Sequence, residues 1–227
     1  YSESGRWKKP FAAHDVGTYP LANGQTYQGD MPVEETGNML IMTTAIAIVD
    51  GNADYAAKHW EILTAWSNYL AEAGMDPENQ LCTEDFAGHL AHNANLSAKA
   101  IMAIAGYGRL AEMLNKPEEA KKFTEMAKRM AIEWERRADD GDHYRLAFDM
   151  PGTWSQKYNF VWDKVLGLNI LPDRIMKKEV TFYLKTQNKY GLPLDNRFTW
   201  GKTDDTVWSA TMADISTAQI FSLNHSD

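Results

Sequence analysis

A chain of 227 residues with 44% apolar content is long enough to bury a sizeable core and too apolar to be disordered. Its formal charge of −8 argues against non-specific nucleic-acid binding and disfavours an anionic membrane surface, and no apolar run reaches the length of a membrane span. The single cysteine, Cys82, excludes an intrachain disulfide and a cysteine-based zinc cage.

Helical periodicity predicts seven helices, near 35–49, 54–73, 88–114, 117–138, 156–169, 173–187 and 204–222. Pro32 with Glu34 and Glu35 reads as a helix start, two acids complementing the positive end of the helix dipole. In "WEILTAWSNYL", Trp60, Leu63 and Leu70 fall at helical spacing. "NKPEEAKKFTEMAKRMAIEW" carries Phe123, Met126, Ala127, Met130 and Trp134 on one stripe behind an Asn-Lys-Pro-Glu-Glu start. The best strand candidate, "HYRLAF" at 143–148, is short and lies between helices.

Connections alternate in kind. The corners at 50–53, 115–116 and 171–173 are short, whereas the loops at 14–34, 74–87, 139–155 and 188–203 are long and rich in polar and aromatic residues. In a stack of antiparallel helical hairpins, alternate loops emerge at the same end. The expected architecture is therefore an all-α toroid or solenoid of hairpins, with functional loops gathered at one end. A tetratricopeptide array is the rival, but its repeat is not sustained and its connections are short.

Each long loop offers candidates. The first leads into Glu34 and Glu35. The second, "CTEDFAGHLAHNANLS", offers Thr83 as a cap, Glu84 and Asp85 as first-turn acids, and Asn93 and Asn95 as polar residues continuing into the helix. His89 and His92 are spaced to share a helix face, but no complete metal-ligand set accompanies them, so no metal and no cofactor are expected. The third places Trp154, Tyr158 and Trp162 at four-residue steps, either core packing or one aromatic face for a ligand, and Asp163 within a helix where an acid needs a partner. The fourth offers Asp195 and Arg197, an ion pair or a carboxylate clamp, and then Asp204 and Asp205 at the start of the last helix. Acid pairs meeting at one end suit acid–base hydrolysis. No G-x-S-x-G or S-x-x-K pattern is present, which favours carboxylate-activated water over a Ser or Cys nucleophile.

The strings "MPVEETGNMLIM", "DFAGHLAHNANLSAKAIMAI", "PGTWSQKYNFVWDKVLGLN" and "NKYGLPLDNR" resemble the six-helical-hairpin domain of the glutaminase A family, found in fungi and in gut-type bacteria such as Bacteroides. The resemblance runs from about His14 to Asp214. It implies a toroid of the (α/α)6 type seen in glycoside hydrolases, hydrolysis of the side-chain amide of L-glutamine to glutamate and ammonia, export from the cell, and a β-rich region upstream in the same polypeptide. The expected catalytic set is Glu34, Glu35, Asp85 and Asp163. The expected binding set is Asp195, Arg197, Trp154, Tyr158, His89, Asn93 and Asp204. Residues 1–227 read as a single domain of about three and a half hairpins, too few to close the ring, and the start at Tyr1 without a Met reads as an excised piece of a longer chain. Two other readings stay open: a glycan-active hydrolase using Trp154, Tyr158, Trp162 and Trp200, and a non-catalytic domain in which the acids only cap helices.

Overall fold

A computed structural model describes residues 1–27 and 29–213. Among them are eight α-helices and no strand: α1 (Pro32–Asp50), α2 (Asp54–Lys58), α3 (Trp60–Ala73), α4 (Ala94–Met113), α5 (Pro117–Ala138), α6 (Val161–Val165), α7 (Asp173–Thr186) and α8 (Thr203–Thr211). The architecture is all-helical, as the periodicity predicts. The 143–148 stretch makes only isolated bridges, Asp139 with Tyr144 and Ala147 with Asn93.

Helix α4 is the centre. It reads "ANLSAKAIMAIAGYGRLAEM" and is apolar nearly all round, so it is buried along almost its whole length. Helices α1 and α5 pack on it. A Cβ on Gly106 would lie 2.6 Å from Thr44 Oγ1, so the bare backbone there is what lets α1 and α4 approach. Trp134 on α5 is buried between Tyr144 and Phe160, with ring centroids 4.9 and 4.6 Å away, and its indole N–H donates to Ala94 O at 2.7 Å. One side chain thus fixes α5 against the start of α4 and against the third loop.

Three expected helices change their bounds for reasons the structure shows, and a fourth is described only in part. The 54–73 helix breaks at His59, whose backbone leaves helical values (φ −117, ψ 18) while its ring is held by Glu3 at 2.8 Å. The 88–114 helix begins at Ala94, because the Asn93 side chain accepts from the Asn95 and Leu96 N–H groups and caps it there. The 156–169 helix shrinks to a 3-10 turn at Tyr158–Phe160 and the five residues of α6, since Gly167 and Asn169 take positive φ. Within the described residues the last helix spans Thr203–Thr211; the expected residues 214–222 lie outside them.

The long loops are stitched to one another. Val33 N donates to Gln80 Oε1, Ala94 N to Leu146 O, Gln156 N to Leu194 O, and Arg197 Nη1 to Ala87 O. These bonds join the second loop to the start of α1, the second to the third, the third to the fourth, and the fourth back to the second.

Candidate active site

Met31 at the N-cap of α1 has no side-chain acceptor, and Pro32 supplies no N–H. The Gln80 carbonyl fills the gap, accepting from Val33 N at 3.0 Å and Glu34 N at 3.5 Å. That bond sets the second loop against the first turn of α1, and the chemistry follows from it. Glu34 is buried, and its Oε1 accepts from Thr83 Oγ1 at 2.6 Å, from Asn38 Nδ2 at 3.3 Å and from the Lys99 ammonium. Lys99 also donates to Asn38 Oδ1 at 2.8 Å and to Thr83 Oγ1 at 3.1 Å. A Cβ on Gly37 would stand 2.8 Å from Lys99 Cγ, so the glycine makes the groove in which the lysine stem lies.

Two more acids join this pair. Glu84 is buried, with its Oε2 accepting from Cys82 Sγ at 3.1 Å and its Oε1 without a hydrogen-bond partner. Burial pushes its carboxyl up, Tyr158 and Cys82 pull it down, and the negative charge of Glu34 raises it further. Asp205, on the first turn of α8, is wholly buried, and neither of its carboxylate oxygens has a hydrogen-bond partner. Its pKa is pushed up to about 7, first by burial and then by Glu84 and Asp204, against the pull of Lys202 and Lys99. Lys202, just before α8, donates to Thr83 O at 3.0 Å. Glu35 lies half-buried at the edge; burial and Glu34 raise its carboxyl, while Asn38, His14 and Lys99 oppose the rise. The result is a group of buried carboxyls around one buried ammonium, with a carboxyl poised to exchange a proton near neutral pH.

The expected residues divide. Glu34 and Tyr158 stand in the cluster and Glu35 at its rim. Asn93 caps α4 and reaches Cys82 Sγ at 3.7 Å. Asp195 and Arg197 lie close by: with Glu84, Asn93, Asn95 and Ser155 they line a cavity of about 10 Å³, room for roughly one water. Arg197 is bound to Asp195 through Nε at 3.0 Å and Nη2 at 2.6 Å. Asp85 and Asp204 are exposed; in both acid pairs the neighbour, Glu84 or Asp205, is the buried member. Asp163 serves the chain, accepting from Ile170 N at 2.8 Å and Leu171 N at 3.3 Å.

Two expected groupings are corrected. His89 and His92 do not share a helix face, because both precede α4 and His92 has φ 59; His89 is exposed, and His92 is bound to Asp76. Trp154, Tyr158 and Trp162 do not form one aromatic face, because the segment is not continuous helix: Trp154 packs edge-on to Phe182, while Tyr158 and Trp162 meet Trp208. Among the described residues no group of three His, Cys, Asp or Glu side chains is arranged to hold a metal ion.

Sequence reasoning missed Lys99 and Lys202, took Thr83 only as a cap, and named Glu84 and Asp205 without choosing them over their neighbours. The one signal for Lys99 is its place in "NLSAKAIMAI": a lysine in a helix apolar on every side must find a buried anion.

The sequence pattern of the glutaminase A six helical-hairpin domain matches residues 1–224. The chain belongs to that family. Glutaminase A of Aspergillus oryzae is 36% identical over 226 residues, covering 96% of this chain and 33% of the relative. A probable glutaminase of Arthroderma benhamiae is 26% identical over 301 residues, covering 94% of this chain and 35% of the relative. The chain thus spans about a third of the length of the curated relatives it matches. Among the described residues of this glutaminase A family chain, no helix is long and apolar enough to cross a membrane.

Proposed function

We propose that the protein of which this chain is part hydrolyses the side-chain amide of L-glutamine to glutamate and ammonia, at the cluster of Glu34, Glu84 and Asp205. The names of both relatives support the reaction. The observation that carries the site is Asp205: a buried carboxyl with two unpartnered oxygens and a pKa of about 7, within electrostatic reach of Glu84, Lys202 and Lys99. Such a group gives a proton to a leaving amine and takes one from an attacking water.

The surroundings suit an amino-acid substrate. A concentration of buried carboxyls favours the α-ammonium group. Arg197 spends three of its five N–H donors on Asp195 and Ala87 O, which leaves two for the α-carboxylate. Family resemblance supports export and a β-rich region upstream of the present residues. A glycan-active reading has one observation in its favour: Phe198 and Trp200 stack at 4.4 Å, with Phe86 edge-on at 6.4 Å, and all three are about half exposed.

The full-length protein, incubated with L-glutamine and separately with a panel of oligosaccharides, decides between them. Ammonia release that is lost in Asp205→Asn is the expected result. Glycan cleavage without a response to glutamine would establish the second reading instead.

A further inference from the structure

Water is not the only oxygen within reach of these carboxylates. The Thr83 hydroxyl donates to Glu34 Oε1 at 2.6 Å and accepts from Lys99 Nζ at 3.1 Å. Its backbone carbonyl is held by Lys202 at 3.0 Å. Thr83 itself stays part-exposed while Glu34 and Lys99 are buried beneath it. An ordinary helix-capping threonine accepts a backbone N–H; Thr83 precedes no helix N-terminus that it caps, and the three-residue turn that follows is capped without a side-chain bond. What it has instead is a carboxylate to receive its proton and an ammonium to steady the oxygen left behind. A hydroxyl so placed, with its base held in turn by a third group, is the arrangement of an activated nucleophile.

The geometry points to Thr83 Oγ1 as a covalent nucleophile that takes the acyl group of the substrate before water does. This rests on the amidohydrolase reading above and specifies its route. Thr83 Oγ1 bonds to the amide carbonyl carbon, its proton passes to Glu34, and the carbonyl π pair moves onto oxygen. Collapse of that oxyanion breaks the C–N bond. The nitrogen takes the proton of Asp205 and leaves as ammonia, and Thr83 carries an ester. Water then attacks the ester carbon and gives a proton to Asp205. The C–O bond to Thr83 breaks, and Oγ1 recovers the proton held by Glu34. Both carboxyls finish as they began, and no oxidant or second substrate is consumed.

The test uses the full-length protein. Wild type, Thr83→Ser and Thr83→Val are assayed for ammonia release from L-glutamine, for the hydroxamate formed when hydroxylamine is added, and for a covalent glutamyl group on the intact protein after acid quench. Melting curves confirm that each variant is folded. Thr83→Ser is expected to keep activity, hydroxamate formation and the adduct. Thr83→Val is expected to lose ammonia release by about a thousandfold or more, with neither adduct nor hydroxamate. A folded Thr83→Val that releases ammonia within about tenfold of wild type overturns the nucleophile and leaves the hydrolase reading standing. If Thr83→Val does not fold, Thr83→Ser decides: turnover without adduct or hydroxamate overturns the proposal. Wild-type protein that releases no ammonia overturns the hydrolase reading, and the nucleophile with it.

Discussion

Lys99 on α4 donates to Glu34 on the first turn of α1, across 65 residues of sequence, and the two side chains are 4% and 3% exposed. The pair holds the central helix and the acidic cluster in one arrangement. Removing one partner strands a buried charge, which costs about 3–5 kcal/mol, whereas removing both by apolar residues of like volume is often near neutral. Lys99→Met is therefore expected to destabilise by about that amount. The double change Lys99→Met with Glu34→Leu should recover most of it. Urea unfolding of the four proteins in the cycle measures the coupling; strictly additive costs would mean that the pair does not act as a unit.

Gly37 separates two opposing effects. Alanine in a helix interior is favoured over glycine by about 0.5–1 kcal/mol. Here the added methyl would meet Lys99 Cγ at 2.8 Å, close to the root of a side chain pinned by three hydrogen bonds. Crowding of that kind costs about 1–3 kcal/mol, so it outweighs the helix gain. Gly37→Ala should be net destabilising by about 1 kcal/mol, with activity falling more than stability because Lys99 is displaced from Thr83. A more stable and fully active variant would show that the lysine can give way.

The second loop is fastened by a histidine. His92 Nδ1 meets Asp76 at 2.8 Å, Arg137 meets the same carboxylate at 2.6 Å, and Asp149 lies 4.0 Å from His92 Nε2. The Asp76 bond raises the imidazolium above its usual range, with Asp149 adding and Arg137 opposing. A group whose pKa is raised by folding stabilises fully below its unfolded value, near 6.5, and that stabilisation is lost as pH rises through the folded value. Wild-type protein should accordingly lose stability from about pH 6.5 upward, and His92→Gln should flatten that part of the curve. Melting temperatures across the range, for both proteins, test this.

How much of this was legible beforehand depended on where the controlling interaction lies. Helix type and the alternation of loops follow from local periodicity, and they survive. Boundaries moved where single residues overrode the period: Glu3, 56 positions away, holds His59 at the break, Asn93 caps α4 from within its own segment, and Gly167 and Asn169 turn the chain with positive φ. Acid pairs were visible as pairs, but the buried member of each was not. Glu84 and Asp85 differ by one position in a segment of no regular period, so no pattern tells which faces inward. Asp204 and Asp205 differ by about 100° around α8, and only the packing of α8 against its neighbours selects Asp205. Lys99 and Thr83 lie on different elements, and their meeting with Glu34 depends on the Gln80 bond that closes the second loop onto α1.

Asp205 makes the most direct claim about pH. In the unfolded chain its carboxyl titrates near the ordinary value of 3.8, and in the folded protein near 7. Between these values the folded state keeps a proton that the unfolded state has released, so stability falls as pH rises through the window. Above pH 7 the folded protein carries a buried and unpaired carboxylate. Asp205→Asn keeps the shape and abolishes the titration. Its melting temperature should match wild type near pH 4 and exceed it at pH 8, the difference opening between those points. The same change should cost activity about 10²–10⁴-fold, the usual loss for a proton-transfer group. In wild type the rate limited by protonated Asp205 should decline as pH passes 7, and this limb should be absent from the residual activity of the variant. A stability difference that is constant across pH would show that Asp205 is ionised in the folded protein throughout, and would remove it from the proton-donating role.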